Sequence, residues 1–325
     1  MRMKVERITF PLAAPFAITG HVFNDIETVR VSLESDGVAG RGEGVGVYYL
    51  NDTADVMFSQ LMNIQAEVEK GINFNTIQEM LPAGGARNAL DCAFWDLEAK
   101  RGSVSVWDKL DIDPKPLKTV CTIGIGSKEE MADTARTYQS YPNLKIKLDG
   151  EDPIGKLEAI RAVRPDASLV IDVNQGWSFE ELKEYAPHCR RLGLEMIEQP
   201  LPRGGDDLLE GYESPVPLGA DESCLDASEY EAAAKRYDVI NIKLDKCGGL
   251  TSGLLIANMA LRDQKALMVG NMTGSSLSMA PAYVIGQFCH FVDIDGPLLL
   301  AKDIENGLHY TAGGIVEVPS RMFWG

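Results

Sequence analysis

The sequence predicts an α/β protein in which a parallel barrel follows an N-terminal α+β unit. From Thr119 onward, short β-branched runs alternate with polar–apolar stretches of helical length, which is typical of parallel βαβ units. About eight such runs occur, the number that closes a parallel sheet into a barrel. No G-x-G-x-x-G motif follows any of these runs, so a dinucleotide-binding sheet is disfavoured.

The N-terminal part predicts short strands followed by a helix. Two stretches alternate polar and apolar residues as half-buried strands do, and we expect the glycines after them to form turns: "MKVERITFPL", "ETVRVSLES" and then "GVAGRGEG". Apolar residues at helical spacing predict a helix in "GGARNALDCAFWDLEAK". We assign residues 1–116 to this unit and residues 117–303 to the barrel. Residues 304–325 are too few for another strand–helix unit, and we expect them to pack back on the N-terminal unit.

The barrel strands are predicted from eight β-branched runs that end in polar or turn residues. In chain order these runs are "TVCTIGIG", "LKIKL", "SLVIDVN", "LEMIEQP", "VPLGADES", "DVINIKLD", "ALMVGN" and "HFVDID". Stretches such as "SFEELKEYAPHCRRLG" and "DASEYEAAAKRY" supply helices between them.

Composition narrows the class of protein. The chain has 325 residues, of which 45% are hydrophobic and 24% charged, as in globular proteins. Its net charge of −17 argues against nucleic acid or an anionic membrane surface as a partner, because both attract basic patches. Six cysteines are scattered without a C-x-x-C pair, which indicates a reducing compartment. No signal peptide and no apolar run of about 20 residues is present, so we expect a cytoplasmic protein.

Charged residues collect at the predicted strand ends, where parallel α/β barrels place their active sites. They are Lys145 and Lys147, Asp172, Glu198, Asp221 and Glu222, Lys243, and Asp293 and Asp295, with the neutral Asn174 beside Asp172. Three carboxylates from successive strands would repel one another at one barrel mouth unless a cation neutralised them. Mg²⁺ prefers such oxygen ligands, whereas the scarcity of His and of paired Cys disfavours zinc.

These motifs resemble those of a known family. The K-x-K strand, the D-x-N, E-Q-P and D-E-S strand ends and "NIKLDKCGGLT" resemble the muconate-lactonizing subgroup of the enolase superfamily. The "ARNALDCAFWDLEAK" helix is similar to the helix of that family's capping domain. The implied fold is a modified (β/α)7β TIM-like barrel with an N-terminal α+β capping domain. The final "DIDGP" resembles the Asp-x-Asp motif of dipeptide epimerases of the L-Ala-D/L-Glu type.

The resemblance implies roles for the strand-end residues. The metal ligands would be Asp172, Glu198 and Asp221, holding the Mg²⁺ with which enolase-superfamily enzymes stabilise an ene-diolate. The bases would be Lys147 and Lys243, one on each face of the α-carbon, so that one removes a proton and the other returns it. A second ammonium and a metal ion nearby favour the neutral amine that a base requires. Substrate contacts would come from Thr122, from Lys145 to the carboxylate, and from Asp293 and Asp295 to the ammonium of a dipeptide.

One loop departs from the glutamate-specific relatives, in which a basic residue pairs with the substrate side chain. Here the segment from Ala14 to Glu27 contains no Lys or Arg, and Gly20 and Phe23 stand where an arginine would be expected. A glutamate side chain would lose a charged partner, at a cost of about 1–3 kcal/mol. We therefore expect an apolar or neutral side chain, next to an apolar pocket formed by Phe16, Ile18, Val22, Phe23, Tyr48 and Tyr49.

Other functions fit parts of the same pattern. An N-succinylamino acid racemase would use the same metal ligands and both lysines. An o-succinylbenzoate synthase would have the same lysines and metal ligands, but it would use one base and a cation to hold the intermediate. Neither substrate carries an ammonium for the two final aspartates. A catalytically silent binding barrel would be expected to lose one of the key residues. A histidine-based racemase is disfavoured because His21, His188, His290 and His309 do not fall at the matching strand ends. We expect a homo-oligomer.

Overall fold

The computed structural model describes residues 1–18 and 21–325. An antiparallel sheet of three strands opens the chain, in the order β1 (Arg2–Ile18), β2 (His21–Ser35), β3 (Val38–Val45). Four helices follow: α1 (Ala54–Lys70), α2 (Phe74–Met80), α3 (Gly85–Gly102) and α4 (Val106–Leu110). We call β1–β3 and α1–α4 the cap. Its own core forms where buried residues of β2, such as Val29, Val31 and Leu33, meet those of α1 and α3.

The prediction that "GVAGRGEG" forms turns is wrong for most of its length, because Val38–Val45 is strand β3. Its glycines serve packing. A Cβ atom on Gly40 would lie 2.2 Å from Leu97 N, one on Gly42 2.2 Å from Ala89 O, and one on Gly44 2.0 Å from Gly85 O. Glycine at every second position therefore lets α3 lie directly on one face of β3.

The barrel begins after a short strand, β4 (Leu117–Lys118). Its eight strands are β5 (Cys121–Ile123), β6 (Asn143–Lys147), β7 (Ser168–Asp172), β8 (Leu194–Glu198), β9 (Leu218–Ala220), β10 (Val239–Lys243), β11 (Ala266–Gly270) and β12 (Phe291–Val292). Neighbours in this order pair in parallel. The N–H of Val120 donates to the C=O of Val292 at 2.9 Å and links the first strand to the last.

Helices occupy most of the seven connections. They are α5 (Lys128–Thr137), α6 (Pro153–Val163), α7 (Phe179–Arg191), α8 (Tyr230–Arg236), α9 (Leu244–Cys247), α10 (Leu250–Arg262) and α11 (Ser276–Gly286). The connection from β8 to β9 has a 3₁₀ turn, Asp207–Leu209, where the repeat would place an α-helix. Prolines and glycines in this segment, among them Gly204 and Gly211 with positive φ, disfavour a longer helix. The predicted (β/α)7β barrel with an α+β cap is confirmed.

The barrel interior separates apolar from polar residues along the strand direction. Near the strand beginnings, the interior is filled by an apolar cluster: Val120, Val170, Met196, Val239 and Met268. Charged side chains follow at the strand ends, where Lys145, Lys147, Asp172, Glu198 and Lys243 are buried. The apolar layer thus closes one end of the barrel and leaves the carboxyl ends of the strands to form a site.

The last residues contact both the barrel and the cap. After α12 (Gly296–Leu299), strands β13 (Tyr310–Thr311) and β14 (Ile315–Val316) form a small antiparallel sheet with β4. Trp324 Nε1 donates to the C=O of Cys92, and the N–H of Gly325 donates to Asp96 Oδ1, both in α3. Among residues 1–18 and 21–325, no helix combines the length and apolarity that crossing a bilayer requires.

Candidate active site

Strand register brings three predicted site residues to one level. Lys147 is the cross-strand neighbour of Asp172, and Asp172 is the neighbour of Glu198. Asp221 follows β9 directly, at the next strand along. The side chains of Asp172, Glu198 and Asp221 are fully buried, and each offers one carboxylate oxygen within 4.8 Å of the others. This set of hard oxygen donors fits Mg²⁺.

Lysines surround these carboxylates. Lys147 Nζ lies 2.6 Å from Asp172 Oδ2, and Lys243 Nζ lies 2.6 Å from Asp221 Oδ2. Burial alone would raise the pKa of Asp172, but the ammonium groups, Lys147 foremost, lower it to about 2. Burial also opposes ionisation of Asp221, and its lysine neighbours hold its pKa far below the usual range. Burial opposes the charge of Lys243, but Asp221 and the other carboxylates raise its pKa.

Lys145 lies deeper than Lys147 and is held by three carboxylates. Its Nζ atom has Glu198 Oε2 at 2.8 Å, Asp293 Oδ2 at 2.9 Å and Asp172 Oδ2 at 3.2 Å. Burial opposes the ammonium charge, but the carboxylates outweigh burial and raise the pKa of Lys145 well above its ordinary value. Both lysines of the K-x-K strand therefore point into the barrel, and each has at least one carboxylate partner.

The two final aspartates are placed next to Lys145 and β5. Asp293 accepts from Lys145 Nζ and, at 2.9 Å, from Asn271 Nδ2. Asp295 accepts from the backbone N–H of Thr122 at 2.8 Å. Burial and the neighbouring Asp293 raise the pKa of Asp295 to about 8. Lys145 is therefore one counter-charge for Asp293 and Asp295. The local sequence "FVDIDGP" contains no basic residue and does not predict this partner.

Sequence reasoning missed two residues that hold the carboxylates and left a third without a role. Lys246 Nζ lies 2.6 Å from Asp221 Oδ1 and also donates to three backbone carbonyls. Asn241 Nδ2 donates to Glu198 Oε1 at 2.7 Å. Asn174, noted at its strand end, accepts from Lys147 Nζ at 3.1 Å. The spacing of Lys243 and Lys246 was the available signal, because one turn of α9 returns Lys246 to the same carboxylate.

A cavity of about 480 Å³ opens between the cap and the barrel mouth, with Lys147, Lys243 and Asp221 in its wall. The cap contributes the predicted Phe16, Ile18, Val22, Phe23, Tyr48 and Tyr49, together with His21. The His21 ring stacks on Tyr48, with centroids 5.5 Å apart, and meets Phe23 at 4.2 Å. Gly20 is the other position at which glutamate-specific relatives would be expected to have an arginine, and it lies outside the described residues. Glu222 and Asn271 add polar groups on the barrel side.

A parallel barrel with three mouth carboxylates and lysines on either side defines a metal-dependent enzyme of the enolase type. The chain belongs to the mandelate racemase/muconate lactonizing enzyme family: the model of that family's N-terminal domain matches residues 2–110, and the enolase C-terminal domain-like model matches residues 129–322.

Similar proteins include several epimerases. The L-Ala-D/L-Glu epimerase of Escherichia coli is 38% identical over 314 residues, which cover 96% of this chain and 98% of that protein. An N-acetyl-D-glutamate racemase of Pseudoalteromonas is 40% identical over 247 residues, which cover 75% of this chain and 78% of that protein. A crystal structure from Agrobacterium tumefaciens, with homology to dipeptide epimerases and with bound sodium and L-Ala-L-Glu, superposes with a TM-score of 0.96 at 35% identity, covering 99% of each chain. Other solved dipeptide epimerases of this fold hold Mg and a dipeptide.

Proposed function

We propose that this chain is a magnesium-dependent dipeptide epimerase that inverts the α-carbon next to the substrate carboxylate. The observation that carries the proposal is the placement of Lys147 and Lys243. They end β6 and β10, which are four strands apart in a barrel of eight, so they approach its centre from opposite sides. Inversion needs a base on each face of the reacting carbon, and this arrangement supplies both.

The three carboxylates Asp172, Glu198 and Asp221 would hold the metal. When bound, Mg²⁺ supplies positive charge close to the oxygens of the substrate carboxylate, where negative charge develops as the α-proton leaves. A cation held by these carboxylates would weaken their attraction for the Lys243 ammonium, which would favour the neutral amine that a base needs. Lys145, between Glu198 and Asp293, would contact the substrate carboxylate.

Proton transfer then uses the two lysine Nζ atoms in turn. For one stereoisomer, Lys147 takes the α-proton, the α-carbon becomes planar, and the ammonium of Lys243 delivers a proton to the opposite face. For the other stereoisomer the two lysines exchange roles. The hydrogen bond from Lys147 Nζ to Asn174 and the contact of Lys243 Nζ with Asp221 hold both atoms at the barrel mouth before substrate binds.

The cavity favours an apolar or neutral side chain at the epimerised position. Its cap wall carries the aromatic rings of Phe16, Phe23, Tyr48 and Tyr49, and the cap loop contains no Lys or Arg. A buried glutamate side chain would lack a strong cationic partner, at a cost of about 1–3 kcal/mol. At the other end of the substrate, Asp293 and Asp295 would bind the dipeptide ammonium beside Thr122.

We also propose that the protein is a cytoplasmic homo-oligomer.

A second candidate is an N-succinylamino acid racemase. The favouring observation is that Asp293 already accepts from Lys145 and Asn271, while Asp295 accepts from Thr122, so this pair has partners without a substrate ammonium. Both candidates use the same metal ligands and bases. An o-succinylbenzoate synthase would use one lysine as the base and a cation to hold the intermediate, so it would not require a base on each face of the reacting carbon.

The test is a substrate screen in D₂O with Mg²⁺, read by mass spectrometry. The library contains dipeptides with apolar, neutral, acidic and basic C-terminal residues, together with N-acetyl and N-succinyl amino acids. We expect deuterium in dipeptides with apolar or neutral C-terminal residues. Faster exchange of N-acylated amino acids than of every free dipeptide would replace the proposed epimerase function with the racemase function.

The metal site is tested separately. Crystals soaked in Mn²⁺ should show anomalous density between Asp172, Glu198 and Asp221, and density elsewhere would overturn the metal assignment.

A further inference from the structure

A buried carboxylate lies two residues beyond Lys243. Asp245, in the four-residue helix α9, is 4% exposed. Its Oδ1 atom accepts two hydrogen bonds, from the backbone N–H of Val45 at 2.8 Å and from Asn88 Nδ2 at 2.7 Å. Both donors belong to the cap, whereas Asp245 continues the barrel strand that carries Lys243. One oxygen atom therefore joins the two parts of the protein next to a proposed base.

The donors lead directly to the cavity wall. Val45 is the last residue of β3, and the chain continues through Gly46 to Tyr48 and Tyr49, which line the cavity. Asn88 lies on α3, the helix that packs against the glycine face of β3. The contact thus fixes the wall formed by the two tyrosines relative to the end of β10.

The path from Asp245 back to Lys243 is short and stiff. Lys243 is both the last residue of β10 and the residue that precedes the first turn of α9. The helix ends after one turn at Gly248, whose φ of +81° terminates it. The residues of α9 are all buried, so they have little room to adjust. A displacement of the Asp245 carboxylate would therefore be transmitted to Lys243.

The carboxylate is held at this position despite an electrostatic cost. Burial, with the nearby carboxylates of Asp52 and Glu43, raises the pKa of Asp245 to about 7, against the hydrogen bonds from Val45 and Asn88. Because both hydrogen bonds end on Oδ1, an asparagine can accept both with its carbonyl oxygen. An alanine accepts neither and leaves two buried donors without a partner.

We propose that Asp245 is a positioning residue for Lys243. Through Val45 and Asn88 it fixes the distance between the Lys243 amine and the cavity wall against which the substrate side chain lies. The inference rests on the two-base epimerase proposed above. It does not apply to Lys147, which lies on the opposite side of the barrel. Lys246, on the same helix, contacts Asp221, so a small effect on both faces is expected. Loss of the Asp245 contacts should nevertheless slow proton transfer by Lys243 much more than proton transfer by Lys147.

The test compares α-proton exchange of the two stereoisomers of one dipeptide in D₂O. The isomer served by Lys243 is the one whose exchange the Lys243→Ala variant abolishes. Asp245→Ala should slow exchange of that isomer at least tenfold and change exchange of the other less than threefold. Asp245→Asn should stay within threefold of the wild type for both. Equal slowing of both isomers by Asp245→Ala, or no rescue by Asp245→Asn, would overturn the proposal.

Asp91 provides the matched control. Asp91 lies on α3 and, like Asp245, is a buried carboxylate that joins the cap to the barrel. It accepts hydrogen bonds from the N–H and the hydroxyl of Thr251, which is not on the strand or helix next to Lys243. Asp91→Ala should lower Tm and affect both isomers alike. If Asp245→Ala does not fold, Asn88→Ala removes one donor and must show the same one-sided loss; an equal loss on both faces refutes the proposal. Failure of the wild type to exchange any substrate would instead refute the proposed function.

Discussion

Gly270 provides a sharp test of the position of Lys243. It is the last residue of β11 and the register partner of Lys243 on β10. A Cβ atom at this position would lie 2.9 Å from Lys243 Cε and 2.7 Å from Asn241 Oδ1. Carbon atoms in contact are normally about 3.5–4.0 Å apart, so the Lys243 side chain in a Gly270→Ala variant must move by about 1 Å. A misplacement of about 1 Å in an active site can cost about 100-fold in rate.

We therefore expect Gly270→Ala to slow exchange of the isomer served by Lys243 by about 10- to 100-fold. Exchange of the isomer served by Lys147 should slow less, because it is affected only through Asn241 and the Glu198 carboxylate that Asn241 holds. The assay is the initial rate of α-proton loss in D₂O, measured by ¹H NMR for each stereoisomer separately. Gly150→Ala is the matched control, because Gly150 is exposed and its Cβ would meet no atom within 4 Å. Unchanged rates for both isomers in Gly270→Ala would refute the placement of the Lys243 side chain over β11.

Three further predictions follow from the same site. Lys243→Ala should abolish epimerisation yet retain deuterium exchange of the isomer served by Lys147. Undiminished epimerisation by this variant would contradict the two-base scheme. Asp295→Asn should lower kcat/KM for dipeptides by about tenfold, in line with the roughly 1.5–3 kcal/mol of a hydrogen bond to a charged group. The same change should lower kcat/KM for N-succinyl substrates much less. An equal loss for both classes of substrate would exclude an ammonium contact.

The third concerns stability, because burial raises the pKa of Asp91 in the folded state to about 6 against its Thr251 donors. The folded state then binds more protons than the unfolded state between about pH 4 and pH 6, so stability falls as pH rises through this range. The free energy of unfolding of the wild type relative to Asp91→Asn should fall by about 2 kcal/mol from pH 4 to pH 7. A difference that does not vary with pH would contradict the raised pKa.

The parts of the structure that sequence predicts are those with local signals. Each barrel strand is a β-branched run bounded by turn residues, and the rule that parallel strands end together then gathers Asp172, Glu198 and Asp221. Strand β3 was not predicted, because glycines close together in sequence usually indicate a turn. Here the alternate glycines are required because helix α3 packs directly on them, and α3 is distant in sequence.

Contacts between distant parts of the chain set the rest of the site. Asp245 meets donors 200 and 157 residues away in sequence, and Lys145 meets carboxylates from three other strands. The residues next to Asp245 and Lys145 in the sequence therefore do not identify these partners. The charge of Lys145 was predicted to act on Lys147, but the sequence could not show that Asp293 would share it.

The most direct measurement of the central claim is ¹H NMR of both stereoisomers of a dipeptide with an apolar C-terminal residue, incubated with the protein and Mg²⁺ in D₂O. Because the proton delivered comes from the lysine opposite the one that removed it, each isomer should convert into the other, and the product should carry solvent deuterium at the C-terminal α-carbon. Chelation of the metal should stop both processes. Conversion that retains the original α-proton, or conversion and exchange that persist after chelation, would contradict the two-lysine, magnesium-dependent mechanism.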